Sequence, residues 1–279
     1  GAMLRAFFFS ARRTILPLFM GRDTRTAPAR APRAISPESY LFLSRRPLHV
    51  LLFILPLVLI YEIGSLIYLT DSARSVIETI RAYSILTQFF EAFGAVGRHL
   101  PAITLAVVLV LWHIFEKDRL KLKPVVLLGM TVESVLWTLP LFVLVFLFMT
   151  DRPLAAMATE TAGTDPTLSW QAAITLSAGA GVYEELLFRL ILISGIHFLL
   201  VDVLRTSSQV GFLVGAVVSA VAFALYHNLA HPGGGSDLRL LGFYSVAGLY
   251  FAALFVFRGF GVVVAVHALY DAVVLLSRL

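Results

Sequence analysis

The sequence predicts an all-α, polytopic transmembrane helix bundle of seven to eight spans with one interfacial amphipathic helix. Three observations predict it. Of 279 residues, 59% are hydrophobic and 14% charged, whereas soluble domains carry about a quarter charged residues. The deficit is local, because 50–69 and 101–115 hold almost no charge. Several segments also reach the roughly 20 apolar residues that a helix needs to cross the hydrocarbon core.

The chain opens on a polar arm, taken as a separate region over 1–46. Gly1-Ala2 reads as a tag remnant ahead of Met3. From 3 to 46 there are nine arginines against one Asp and one Glu. The Ala-Pro-Ala-Arg-Ala-Pro-Arg stretch at 27–33 reads as a disordered linker. Residues 4–20 alternate Arg with Phe, Leu and Ile, which suits an anionic lipid surface. An acid-poor, Arg-rich start also resembles an organelle presequence; the plain basic arm is preferred.

The transmembrane domain is expected over 47–279. A first span is predicted at 48–69. Residues 76–96 are apolar at helical spacing but carry Glu78, Arg81 and Glu91, which predicts a helix lying at the interface. A second span follows at 100–115, then a basic turn at 117–123. Pro124 opens a third span, to about 149, and 150–168 is a polar loop. The segment 168–204 would be about 55 Å long as a straight helix, against a core of about 30 Å. It is expected to tilt, break, or split near Ser194-Gly195. The last spans are 209–230, 238–257 and 260–277, with Arg258-Gly259 as a tight turn before the last. The positive-inside rule puts the arm and the 117–123 turn in the cytoplasm, so the expected location is the plasma (inner) membrane. No cysteine is present, which excludes disulfides, thiolate nucleophiles and cysteine-ligated metals.

Charged groups inside a bilayer are costly, and where they persist they face partners or a water-filled cavity. Six stand out in the C-terminal half. Glu185 and Arg189 are i and i+4, on one helix face and able to pair. Glu184 sits about 100° round the helix from Glu185 and points elsewhere. One carboxylate is thereby neutralised; the other is free and desolvated, which suits a general base. His227 follows Phe223 by one turn. His267 and Asp271 are again i and i+4, and a carboxylate one turn away fixes a histidine's tautomer and orientation.

These patterns resemble the family of CAAX-protease and bacteriocin-processing-like membrane proteins, which contains the type II CAAX prenyl endopeptidases. The residues that carry the resemblance are Glu184-Glu185-x-x-x-Arg189, Phe223-x-x-x-His227 and His267-x-x-x-Asp271, in order, over a motif-bearing core at 168–279. The resemblance implies an intramembrane endopeptidase. In it, Glu184 and His227 would activate water, Glu185 and Arg189 would form a supporting ion pair, and His267 with the fourth-position residue, here Asp271, would stabilise the oxyanion. The family often has Asn where this chain has Asp271. An ionised Asp would repel an oxyanion, so Asp271 is expected to hold His267 as a donor.

Two Glu and two His also resemble a zinc set. The spacing lacks His-Glu-x-x-His, and Arg189 would compete for a carboxylate, so no cofactor is expected, with zinc as the alternative. The expected partners are a peptide or protein substrate, membrane-anchored or lipidated in one version, the bilayer itself, and anionic lipids for the arm. Nucleic acid is not expected.

Glu62 and Glu133 lie inside apolar spans. They are read either as satisfied structural acids or as the lining of a cavity that receives substrate. His113 and His197 are read as interfacial, and His231 as reaching water. Two rivals from other classes remain: a transporter or proton-relay protein using the buried Glu/His chain, and a non-catalytic membrane scaffold or immunity protein.

Overall fold

The computed structural model describes residues 39–69, 80–115, 122–149, 169–229 and 235–277. The basic arm, Glu78, most of the 117–123 turn, the 150–168 loop and His231 lie outside them. The described elements are helices: α1 (Tyr40–Leu43), α2 (Pro47–Tyr68), α3 (Arg81–Ala92), α4 (Leu100–Phe115) and α5 (Pro124–Phe148). They continue with α6 (Trp170–Val203), α7 (Ser208–Tyr226), α8 (Leu238–Arg258) and α9 (Phe260–Leu276).

Five of these, α2, α5, α6, α7 and α8, are long and apolar enough to cross a membrane; α4 and α9 are shorter apolar helices. The chain is an integral membrane protein. Its outer faces agree: on α5, Val125, Leu128, Val132, Leu136 and Leu139 are all exposed, Val125 by 77%. A row of large aliphatic side chains at three- and four-residue spacing faces lipid. On α2, Val50, Ile54, Tyr61 and Ser65 turn inward, while Leu59, Ile63 and Leu66 turn out.

Proline opens both α2 and α5, where its missing N–H costs no hydrogen bond. Helix α3 buries Ala82 and Leu86 and exposes Ile85 and Phe89. Its described part starts at Arg81, five residues later than the periodicity suggested.

The long segment neither breaks nor splits. Helix α6 runs 34 residues, and π-turns at Ala180–Glu184, Leu186–Ile193 and Phe198–Val203 replace the α-helical winding. A π-turn closes its hydrogen bonds five residues back. It therefore packs more residues into each turn and shortens the helix. Ser194–His197, where a split was expected, is an α-helical turn between two such segments.

Helix α9 is the most enclosed element, with ten consecutive residues from Phe260 to Leu269 of which all but Leu269 are buried. It packs on α5, α6 and α8. Gly181 makes the α6 contact: a Cβ there would stand 2.7 Å from the Val264 carbonyl oxygen. On the other side, α7 and α8 are paired closely, and a Cβ on Gly248 would meet the Ala220 Cα at 2.9 Å. Small residues at such crossings let backbones approach in lipid.

Candidate active site

Three helices bring the six ionisable residues together. The π-turn of α6 carries Glu184, and Glu185 follows at the junction with the next π-turn. Arg189 lies one turn on. Helix α9 supplies His267 and Asp271. His227 stands at the end of α7, in extended backbone, because the helix stops at Tyr226, short of the predicted 230.

Glu185 and Arg189 are fully enclosed, and their ion pair closes at 3.1 Å. Arg189 has further support. Its Nη2 donates to the Gly248 carbonyl at 3.4 Å, and its guanidinium lies 4.3 Å from the Phe223 ring centroid. A planar guanidinium suits both contacts at once. The other Glu185 oxygen, Oε1, accepts from His267 Nδ1 at 2.7 Å. A carboxylate can only accept, so Nδ1 carries the proton.

That assignment aims His267 Nε2 at two more carboxylates. Asp271 Oδ2 is 3.6 Å away and Glu184 Oε2 3.9 Å. The two adjacent glutamates thus diverge as the helix spacing requires, yet flank opposite nitrogens of a single ring. Asp271 is near His267, but the hydrogen bond that orients the ring comes from Glu185. The ring is also stacked on Phe251, with centroids 4.6 Å apart and planes at 20°.

His227 is oriented by two contacts of its own. Its Nδ1 faces the Phe223 carbonyl at 2.8 Å. A carbonyl only accepts, so Nδ1 donates and Nε2 keeps its lone pair. Tyr244 stacks on the ring at 3.8 Å and 17°. Phe223 lies between the two histidines, with its centroid 4.6 Å from His227 and 5.9 Å from His267.

Glu184 is buried and has unlike oxygens. Oε1 accepts from the Tyr226 hydroxyl at 3.2 Å. Oε2 is buried without a hydrogen-bond partner. A buried carboxylate oxygen without a hydrogen bond is costly as it stands; Glu185 Oε2 also lacks one but lies 3.1 Å from the Arg189 guanidinium, whereas Glu184 Oε2 faces a histidine 3.9 Å away.

Glu62 and Glu133 lie apart from this group. Glu62 accepts from the Tyr183 hydroxyl and contacts His99, whose side chain is 48% exposed. Tyr183 separates it from the cluster, packed against Tyr61 and Tyr83 at centroid distances of 5.0 and 5.1 Å. Glu133 pairs with Arg258 and accepts from Tyr40 and Trp137. It lines a cavity of about 690 Å³ on the outer face of α5, with Tyr40, Val132, Leu136 and Trp137 among its neighbours. None of the six clustered residues lines that cavity. His197 is buried beside Ser208, where α6 and α7 meet in a tight helical hairpin.

The spacing of charged residues missed Tyr226 and a stripe on α8. Tyr244, Gly248 and Phe251 recur at i, i+4 and i+7, and they respectively stack on His227, bind Arg189 and stack on His267. That stripe is visible in the sequence as an aromatic–glycine–aromatic face, but only the assembled bundle says what it faces.

Residues 166–273 match the family model described as type II CAAX prenyl endopeptidase Rce1-like. No curated protein and no solved structure matches.

Proposed function

We propose, from the premise that residues 166–273 belong to the Rce1-like family of type II CAAX prenyl endopeptidases, that this protein hydrolyses peptide bonds with a glutamate-activated water. The observation that carries the reading is the buried, unpartnered Oε2 of Glu184, beside a histidine held in a fixed orientation. In this reading water sits against Glu184 Oε2, which takes its proton as the oxygen attacks the scissile carbonyl. His227, with a lone pair on Nε2, takes that proton on from Glu184 and delivers it to the leaving amine, which returns Glu184 to its ionised form. His267 Nε2 faces the developing oxyanion. This role needs His267 doubly protonated, with Nδ1–H held by Glu185, which is backed by Arg189, and Nε2–H left to donate.

The donor set supports hydrolysis without a metal. Glu185 has one oxygen on His267 and the other on Arg189. His227 and His267 each have Nδ1 engaged, and a guanidinium occupies the heart of the cluster. A zinc ion would have to displace several of these contacts to gather three ligands.

The substrate class follows from the family description: a peptide near a prenylated cysteine, reaching the site from the membrane. An N-terminus on the cytoplasmic face goes with this proposal. The test is cleavage, in liposomes, of quenched fluorescent peptides ending in Cys-aliphatic-aliphatic-X, with and without an S-farnesyl group. Wild type is expected to cleave with strong chelator present, and Glu184→Gln to lose at least about 100-fold in kcat, the lower end of general-base contributions. Equal rates for the two proteins would sink the reading, and loss of activity in chelator, restored by zinc, would sink its metal-free form.

A further inference from the structure

Helix α3 packs on the π-turn that carries Glu184 and also meets the catalytic cluster at Tyr226. The Tyr226 hydroxyl has one proton and two lone pairs. The backbone amide of Ala82, in the first turn of α3, donates to it at 2.8 Å. Glu184 Oε1, 3.2 Å away on the other side, can only accept. With an N–H entering on one side, the hydroxyl proton is directed at Glu184. Arg81 holds the same residue by its main chain, donating from Nη1 to the Tyr226 carbonyl at 2.8 Å. The ring is wedged between Phe188 and His227, each with its centroid 5.2 Å away.

The consequence lies in how a glutamate points. Its last torsion is broad and roughly two-fold, so an unrestrained carboxylate presents either oxygen and wanders in angle. A donor fixed on Oε1 removes that freedom and leaves Oε2 as the oxygen available to water. It also stabilises the charged form that a base requires.

We infer that Tyr226 is a positioning residue for the reaction: its hydroxyl, oriented by the Ala82 amide, holds Glu184 Oε1 so that Oε2 meets the water. The inference rests on the reading of Glu184 as the base. In this role Tyr226 acts through Glu184.

Tyr226→Phe removes one oxygen and keeps the ring's packing, and the test runs it beside wild type and Glu184→Gln on the same farnesylated peptides. The expected result is a kcat about 10- to 100-fold below wild type, the scale on which a misplaced catalytic group acts, with KM within about two-fold. The acidic limb of the pH–rate profile is expected to be displaced as well, since the group that titrates has lost its donor. A kcat within about two-fold of wild type, a loss carried by KM, or a loss equal at every pH overturns the role, because a packing defect would do no more than that. Should Tyr226→Phe fail to fold, Ala82→Pro deletes the amide donor in the first helical turn, where proline is tolerated. It is expected to lower kcat several-fold by the same logic, and an unchanged kcat there is equally fatal. The two readings separate cleanly. An inactive Glu184→Gln beside a fully active Tyr226→Phe refutes the positioning alone; a Glu184→Gln that cleaves like wild type refutes the base, and the positioning falls with it.

Discussion

Glu185 uses both oxygens, one on His267 and one on Arg189, and this decides what Asp271 is left to do. With the imidazole already oriented from Nδ1, Asp271 at 3.6 Å from Nε2 contributes charge more than direction. Replacing it with the neutral isostere removes that charge and keeps the shape. Asp271→Asn is therefore expected to retain substantial peptidase activity, while His267→Ala loses most of it, about 100-fold or more if it removes an oxyanion donor. Steady-state kcat for the two variants checks this, and near-complete loss in the Asn variant would mean that the Asp271 charge is needed in the reaction itself.

At the scale of elements, the site depends on how closely α6 and α9 approach. Glu185 reaches His267 because Gly181, one turn earlier on α6, lets the α9 backbone come within the space of a side chain. A larger residue there meets a carbonyl oxygen and the Ala268 Cβ, neither of which can swing aside. Gly181→Val is expected to destabilise the protein by about 1–3 kcal/mol, the usual cost of overpacking, and to lower cleavage further by separating Glu185 from His267. Thermal unfolding in detergent and kcat, measured together, check it; an unfolding midpoint equal to wild type would show that the helices slide apart freely. The neighbouring helix α8 works by surface shape, presenting Tyr244, Gly248 and Phe251 to three different members of the cluster.

Over the whole molecule, buried charge is gathered into separate centres near opposite ends of the bundle. Arg258 meets Ser44 and Glu133 where α2 begins and α8 ends. Tyr226 meets Arg81 and Ala82 where α7 ends. The Glu133–Arg258 pair shares no residue with the catalytic cluster, so its worth is expected in stability. Glu133→Gln strands a largely buried guanidinium and is expected to cost several kcal/mol, as broken buried pairs do. Adding Arg258→Met should recover most of that loss, since it removes the stranded charge and leaves the amide at position 133 with Tyr40 and Trp137 as partners. A double variant no more stable than Glu133→Gln alone, in the same unfolding assay, would show that the pair holds the fold in some other way.

What the sequence determined by itself is the class and the cast. Apolar length marked the spans, because a bilayer tolerates no unsatisfied backbone and so allows few architectures. The cost of charge in lipid makes Glu184, Glu185, Arg189, His227, His267 and Asp271 stand out from the sequence alone. Helical spacing paired Glu185 with Arg189 correctly, since i and i+4 neighbours are a property of one helix. The tertiary structure decided what spacing within single helices cannot. It joined both glutamates to one imidazole, stacked α8 against both histidines, and set Tyr226 on Glu184 from a helix some 40 residues away in sequence. It also wound α6 through π-turns and sent Glu62 and Glu133 to other neighbours. Local periodicity records which face a residue is on; which faces meet depends on how closely the glycines let the helices approach, and that is fixed only when the whole bundle packs.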